Sequence, residues 1–134
     1  MDWKLEVVVI PVADVDRAKR FYSEQVGFVL DHDNRMGDTA RVVQLTPRGS
    51  ACSIAFGVGL VDMPPGSVKG LQLVVPDIEA AHRELVERGV PVSEVKHFEN
   101  GVPLDGPGGN WNSFVFFSDP DGNGWAVQQA PARD

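Results

Sequence analysis

The sequence predicts an α+β fold made of two tandem βαβββ modules, and three observations carry that expectation. The chain repeats itself: Val7–Asp14 (VVVIPVAD) lies on Gly70–Asp77 (GLQLVVPD), and beyond the aspartates Ala18, Arg20 and Glu24 meet Ala81, Arg83 and Glu87. Each copy reads as an apolar strand, an aspartate suited to N-capping, an amphipathic helix and a glycine (Gly27 or Gly89) suited to closing it. Three strand-like segments then follow each helix. Two copies make a duplicated supersecondary unit, whereas a solenoid needs at least three.

The elements follow in order. In the first helix Ala18, Phe21, Tyr22 and Gln25 share a stripe, and in the second Ile78, Ala81 and Leu85 do. The first module continues through strands at Phe28–Asp33, Ala40–Leu45 and Ala51–Phe56. Gly57–Ser67, with Pro64-Pro65-Gly66, reads as a linker. The second module continues through Val92–Phe98, Ser113–Ser118 and Gly124–Gln129. Between its first two strands lies Glu99–Asn112, rich in glycine and proline and long enough to suggest a functional or mobile loop. The last two strands form a hairpin, because Asp119-Pro120-Asp121-Gly122-Asn123 is a run of turn formers between apolar segments. The expectation is a single domain, with modules at about 5–56 and 68–129 joined by a linker at 57–67.

Composition bounds the partners. A chain of 134 residues with 43% hydrophobic content supports a real core. A net charge of −7 disfavours a nucleic-acid partner, since binding to phosphates needs clustered Lys and Arg. The single Cys52 excludes an internal disulfide and a CxxC-type zinc site. No apolar stretch approaches a membrane span or a signal peptide, so the expectation is a cytoplasmic protein without a membrane partner.

The doubled βαβββ pattern, the segment Val12–Tyr22 (VADVDRAKRFY) after the first strand, and Asp119–Asn123 (DPDGN) before the last resemble the vicinal oxygen chelate superfamily. That superfamily holds glyoxalase I, extradiol dioxygenases, fosfomycin-resistance enzymes and bleomycin-resistance binding proteins. The resemblance spans about Leu5 to Gln129 and implies modules that form a curved mixed sheet cleft, often shared in a homodimer. It also implies a divalent metal held by His, Glu or Gln on the first and last strands of each module. The matching places here are Val7, Gly70 and Ala126, with a fourth near Ser53 or Ala55. Val, Gly and Ala supply no donor, and one serine cannot hold a divalent ion alone. The expectation is therefore no metal and no cofactor.

Strand alternation names what else faces the cleft. Trp125 and Val127 should lie beneath a helix, leaving Ala126 and Gln128 on the other face. Leu71, Leu73 and Val75 form the buried set of their strand, leaving Gly70, Gln72 and Val74. Gln72 and Gln128 thus form a pair able to hydrogen-bond a ligand carbonyl or hydroxyl. Trp111 and Asn112 end the glycine-rich loop and are candidates to fold over a ligand. Either Phe114 and Phe116, or Val115 and Phe117, line the cleft; Arg41 and Gln44 are further polar candidates. Of the histidines, His82 reads as a helix-surface residue and His32 as part of a polar turn. His97, just before the glycine-rich loop, is the one candidate acid, base or ligand contact.

Two functions compete at this point. One is a metal-free binder that sequesters a small apolar or aromatic molecule such as an antibiotic. The other is an enzyme of the same superfamily, a glyoxalase-like lyase, isomerase or dioxygenase with relocated ligands or cofactor-free acid–base chemistry.

Overall fold

The structure, a computed structural model, describes residues 1–131. It contains two mixed sheets of four and five strands, each with one helix, and it divides into two compact units. The first unit is Met1–Val68 with Asp119–Asn123; among the described residues the second is Lys69–Ser118 with the chain from Gly124 on. The tip of the last hairpin therefore belongs to the first unit, although its flanking strands belong to the second. Among the described residues no helix is long and apolar enough to cross a membrane.

In the first unit β1 (Val7–Val9) runs parallel to β4 (Ser53–Val58), with β3 (Ala40–Thr46) and β2 (Val29–Met36) beyond it, in the order β1-β4-β3-β2. Helix α1 (Val15–Arg20) begins where expected: the Asp14 carboxylate accepts from Arg17 N at 3.1 Å. Its continuation, Phe21–Val26, widens to a π-helix, and Gly27 closes it with φ of 88°. Of the predicted stripe Ala18, Phe21 and Tyr22 are buried and Gln25 is half-buried. Ala18, Phe21 and Tyr22 pack with Ile10, Val43, Leu45, Ile54 and Phe56. Tyr22 sits at the centre: its ring contacts Phe21 edge-on at 5.1 Å and lies 5.8 Å from both Phe28 and Phe56.

The turn Asp119–Asn123 completes this unit. Asp119 Oδ1 accepts from the backbone N–H of Asp121, Gly122 and Asn123, each at 2.9 Å. Its Oδ2 accepts from Tyr22 Oη and from Asn123 Nδ2, both at 2.8 Å. Asn123 Nδ2 also donates to Pro11 O at 2.8 Å, and Asp121 Oδ1 accepts from Ala13 N and Arg17. The close approach reaches the backbone, because a Cβ on Gly66 would meet Asp121 O at 1.9 Å.

The second sheet runs β5-β9-β8-β6-β7: β5 (Leu71–Val75), β9 (Gly124–Gln129), β8 (Phe114–Ser118), β6 (Lys96–Glu99) and β7 (Val102–Asp105). Only β5 and β9 pair in parallel. Helix α2 (Ile78–Glu87) is capped by Asp77, which accepts from Ala80 N, while Gln129 Oε1 accepts from Ile78 N at 2.9 Å. Ile78, Leu85, Val90, Val95, Val115, Phe117, Trp125 and Val127 form the core, with Phe117 and Trp125 stacked at 5.9 Å.

Several strand bounds differ from expectation. β2 extends to Met36 and β4 to Val58, into the expected linker. The strand expected at Val92–Phe98 is shorter, with Val92 making only an isolated bridge to Phe117. The loop Glu99–Asn112 holds a strand, β7, hidden in the sequence by Pro103 and the surrounding glycines. Pro103 is tolerated because β7 is an edge strand.

Candidate functional site

The helix-free face of the second sheet gathers most of the residues singled out by sequence. Val115 and Phe117 point under α2 and are buried, so Phe114 and Phe116 occupy the opposite face, half-buried. Their rings stack at 5.9 Å with an interplanar angle of 9°. Phe98, which the sequence did not single out, adds a third ring edge-on to both, at 5.5 Å and 6.2 Å. The signal for Phe98 was its alternation with His97 in a strand beside the glycine-rich loop. Phe98 is 36% exposed and Val74, on the same sheet face, 55%.

The two glutamines border this aromatic patch and meet each other. Gln72 is the register partner of Ala126, and Gln128 that of Phe114. Gln72 Nε2 donates to Gln128 Oε1 at 2.6 Å, and Gln128 Nε2 donates to Trp111 O at 2.7 Å. Trp111 is 48% exposed and holds a left-handed φ of 60°, a conformation that bulky residues rarely adopt. The neighbouring Asn112 is committed to the backbone: its side chain accepts from Phe98 N and donates to Phe98 O, each at 2.9 Å. It thus extends the β6 ladder in place of a strand and fixes the loop to the edge of the patch.

Three candidates remain: His97, Arg41 and Gln44. His97 faces away from Phe98. Its Nδ1 lies 2.8 Å from Gly106 O, which can only accept, so Nδ1 carries the hydrogen; Nε2 lies 3.4 Å from Glu99. Arg41 and Gln44 belong to the first unit. Gln44 is half-exposed, opposite Ala55 and His32 in register. Arg41 is 6% exposed; it donates to Asp33 at 3.0 and 2.8 Å and pairs with Asp16 at 2.9 Å. Lys19 also reaches Asp33, at 3.0 Å.

Those hydrogen bonds from Arg41, supplemented by Lys19, hold the Asp33 carboxyl well below the usual carboxylate range despite partial burial. Arg41 also lowers Asp16. A depressed folded-state pKa stabilises the fold above the ordinary aspartate value of about 4, and that stability is lost as pH falls toward the folded value. Asp33→Asn is expected to remove about 2 kcal/mol at neutral pH, since Arg41 is buried and keeps only Asp16 as an ionised partner. It should also flatten the loss of stability below about pH 4. Urea unfolding across pH checks this; an unchanged acid profile would contradict it.

The residues at the expected metal places do not fit a divalent ion. Val7, Gly70 and Ala126 have no donor atom, and Ser53 Oγ is engaged with Thr46 Oγ1 at 2.6 Å. Among the described residues no group of three or more His, Cys, Asp or Glu could hold a metal. What the second sheet offers is a floor of three aromatic rings, the small Ala126 beside it, and a hydrogen-bonded amide edge. Such a surface suits a flat apolar molecule that carries a polar group.

Comparison with known proteins places this architecture. The family model described as the Glyoxalase/Bleomycin resistance protein/Dioxygenase superfamily matches residues 4–127. The chain is 36% identical to TnmS3, an antibiotic binding protein from Streptomyces sp. CB03234, whose crystal structure superposes with a TM-score of 0.76 over 96% of this chain and 97% of that one. A glyoxalase/bleomycin resistance protein from the same organism is 37% identical, with a TM-score of 0.72 over 94% and 100% of the two chains. An uncharacterized Bacillus subtilis (strain 168) protein, YetH, is 27% identical over 94% of this chain and 98% of its own.

Proposed function

We propose that this chain, which belongs to the Glyoxalase/Bleomycin resistance protein/Dioxygenase superfamily, binds a small aromatic molecule on the helix-free face of its second sheet, without a metal, as an antibiotic-sequestering protein. One observation carries the reading: Phe98, Phe114 and Phe116 form an accessible three-ring floor beside the bonded pair Gln72–Gln128. Stacking on such a floor contributes about 0.5–1.5 kcal/mol per ring pair beyond area burial. The likeness to TnmS3, described as antibiotic binding, supports the same class of ligand. The donor-free residues at positions 7, 70 and 126 support a binding role over metal-assisted turnover.

The test is a thermal-shift screen of bleomycin and a panel of aromatic antibiotics. A ligand present at about a hundred times its Kd stabilises the native state by about 2.7 kcal/mol. For a chain of this size that raises Tm by on the order of 5–10 °C. A panel in which no compound raises Tm would contradict the proposal.

A further inference from the structure

The direction of the hydrogen bonds along the glutamine pair is forced. Trp111 O is a backbone carbonyl and can only accept, so the Gln128 group that meets it must be Nε2. Gln128 Oε1 is left toward Gln72 and can only accept, so Gln72 must present its Nε2. Neither amide can be turned over without setting two acceptors against each other. The free end of the relay is therefore Gln72 Oε1. Among the described residues this atom has no hydrogen-bond partner, and Gln72 is exposed.

The register fixes where that acceptor stands. Gln72 partners Ala126, and Ala126 partners Phe116, so one cross-strand row runs Gln72, Ala126, Phe116. With strands about 4.8 Å apart, the row spans roughly 10 Å, and its middle member is a methyl group that leaves the floor open. That span matches a polycyclic ring system better than a single benzene ring. A ring stacked beside Phe116 and extended over Ala126 brings its far edge to Gln72.

We infer that the site selects, among aromatic ligands, polycyclic ones that carry a hydrogen-bond donor, a phenolic hydroxyl or an amine, on the edge that reaches Gln72 Oε1. Gln128 is a positioning residue in this scheme. It orients the Gln72 amide and, through Trp111 O, holds the left-handed backbone at the border of the patch, next to Asn112 clamped on Phe98. The inference rests on the aromatic face being the ligand site.

Hydroxypyrene and methoxypyrene test it, titrated by fluorescence anisotropy into wild type, Gln72→Leu, Gln128→Met and the double variant Phe114→Ala/Phe116→Ala. Circular dichroism first establishes that each variant is folded. Wild type is expected to bind hydroxypyrene about five- to tenfold more tightly than its methyl ether, the worth of one neutral hydrogen bond. Gln72→Leu should erase that preference and leave methoxypyrene affinity within about twofold. Gln128→Met keeps size but offers neither an amide oxygen to Gln72 Nε2 nor a donor to Trp111 O, so it should erase the preference and weaken both probes; a merely space-filling role would leave the preference intact. Equal affinities in wild type that both fall in the double phenylalanine variant would overturn the donor inference while leaving the aromatic site standing. Failure of wild type to bind either probe, or binding untouched by the double variant, would overturn both.

Discussion

Asp119→Ala is expected to destabilise the protein by about 4 kcal/mol, which lowers Tm by on the order of 10–15 °C. The magnitude follows from what the carboxylate does. It is 95% buried and takes five hydrogen bonds: three backbone N–H groups of its own turn, the Tyr22 hydroxyl and the Asn123 amide. Alanine removes the shared acceptor from a region sealed by Tyr22 and Asn123, both fully buried, while Gly122 N–H keeps the Asp119 carbonyl and the Asn123 amide keeps Pro11 O. Tyr22→Phe removes one donor together with one of the acceptor's partners, so it should cost only about 1–1.5 kcal/mol. Urea unfolding of the two variants beside wild type measures both losses. Equal losses would show that Tyr22 carries the turn and that the backbone bonds to Asp119 contribute nothing.

Phe114→Ala/Phe116→Ala is expected to weaken binding of a polycyclic aromatic ligand about a hundredfold. Each truncation removes a whole ring from the floor, and a stacked ring pair is worth about 0.5–1.5 kcal/mol beyond the area it buries. Stability should fall much less than in Asp119→Ala, because both rings lie on the half-exposed face and the core beneath α2 is left whole. Val115→Ala provides the contrast: it removes a fully buried core side chain and should lower stability while sparing affinity. Calorimetric titration and urea unfolding of the two variants separate the faces. Loss of affinity in Val115→Ala but not in the double variant would assign the ligand to another surface.

Much of this was legible because the repeat tied both modules to one pattern. Asp14 and Asp77 cap their helices, Gly27 and Gly89 close them with positive φ, and alternation placed Ala126 and Gln128 opposite Trp125 and Val127. The four-residue run Phe114–Phe117 was ambiguous because both of its faces are apolar. The stacking of Phe117 on Trp125 decides which pair is core. Arg41 reads from sequence only as a polar candidate, because its partners are set by pairing. A register break between Leu30 and His32 accompanies the turn of Asp33 toward it, and Asp16 comes from the helix. Asn112 substitutes for a strand, a role that depends on where β6 ends. The left-handed Trp111 defies local propensity altogether, and its carbonyl is held by the Gln128 side chain from β9.

The most direct test of metal-free aromatic binding is a calorimetric titration of hydroxypyrene into the purified protein before and after exhaustive chelation with EDTA. Metal-free binding gives the same one-to-one isotherm and the same Kd in both samples. Binding that disappears on chelation and returns with a divalent ion would contradict it.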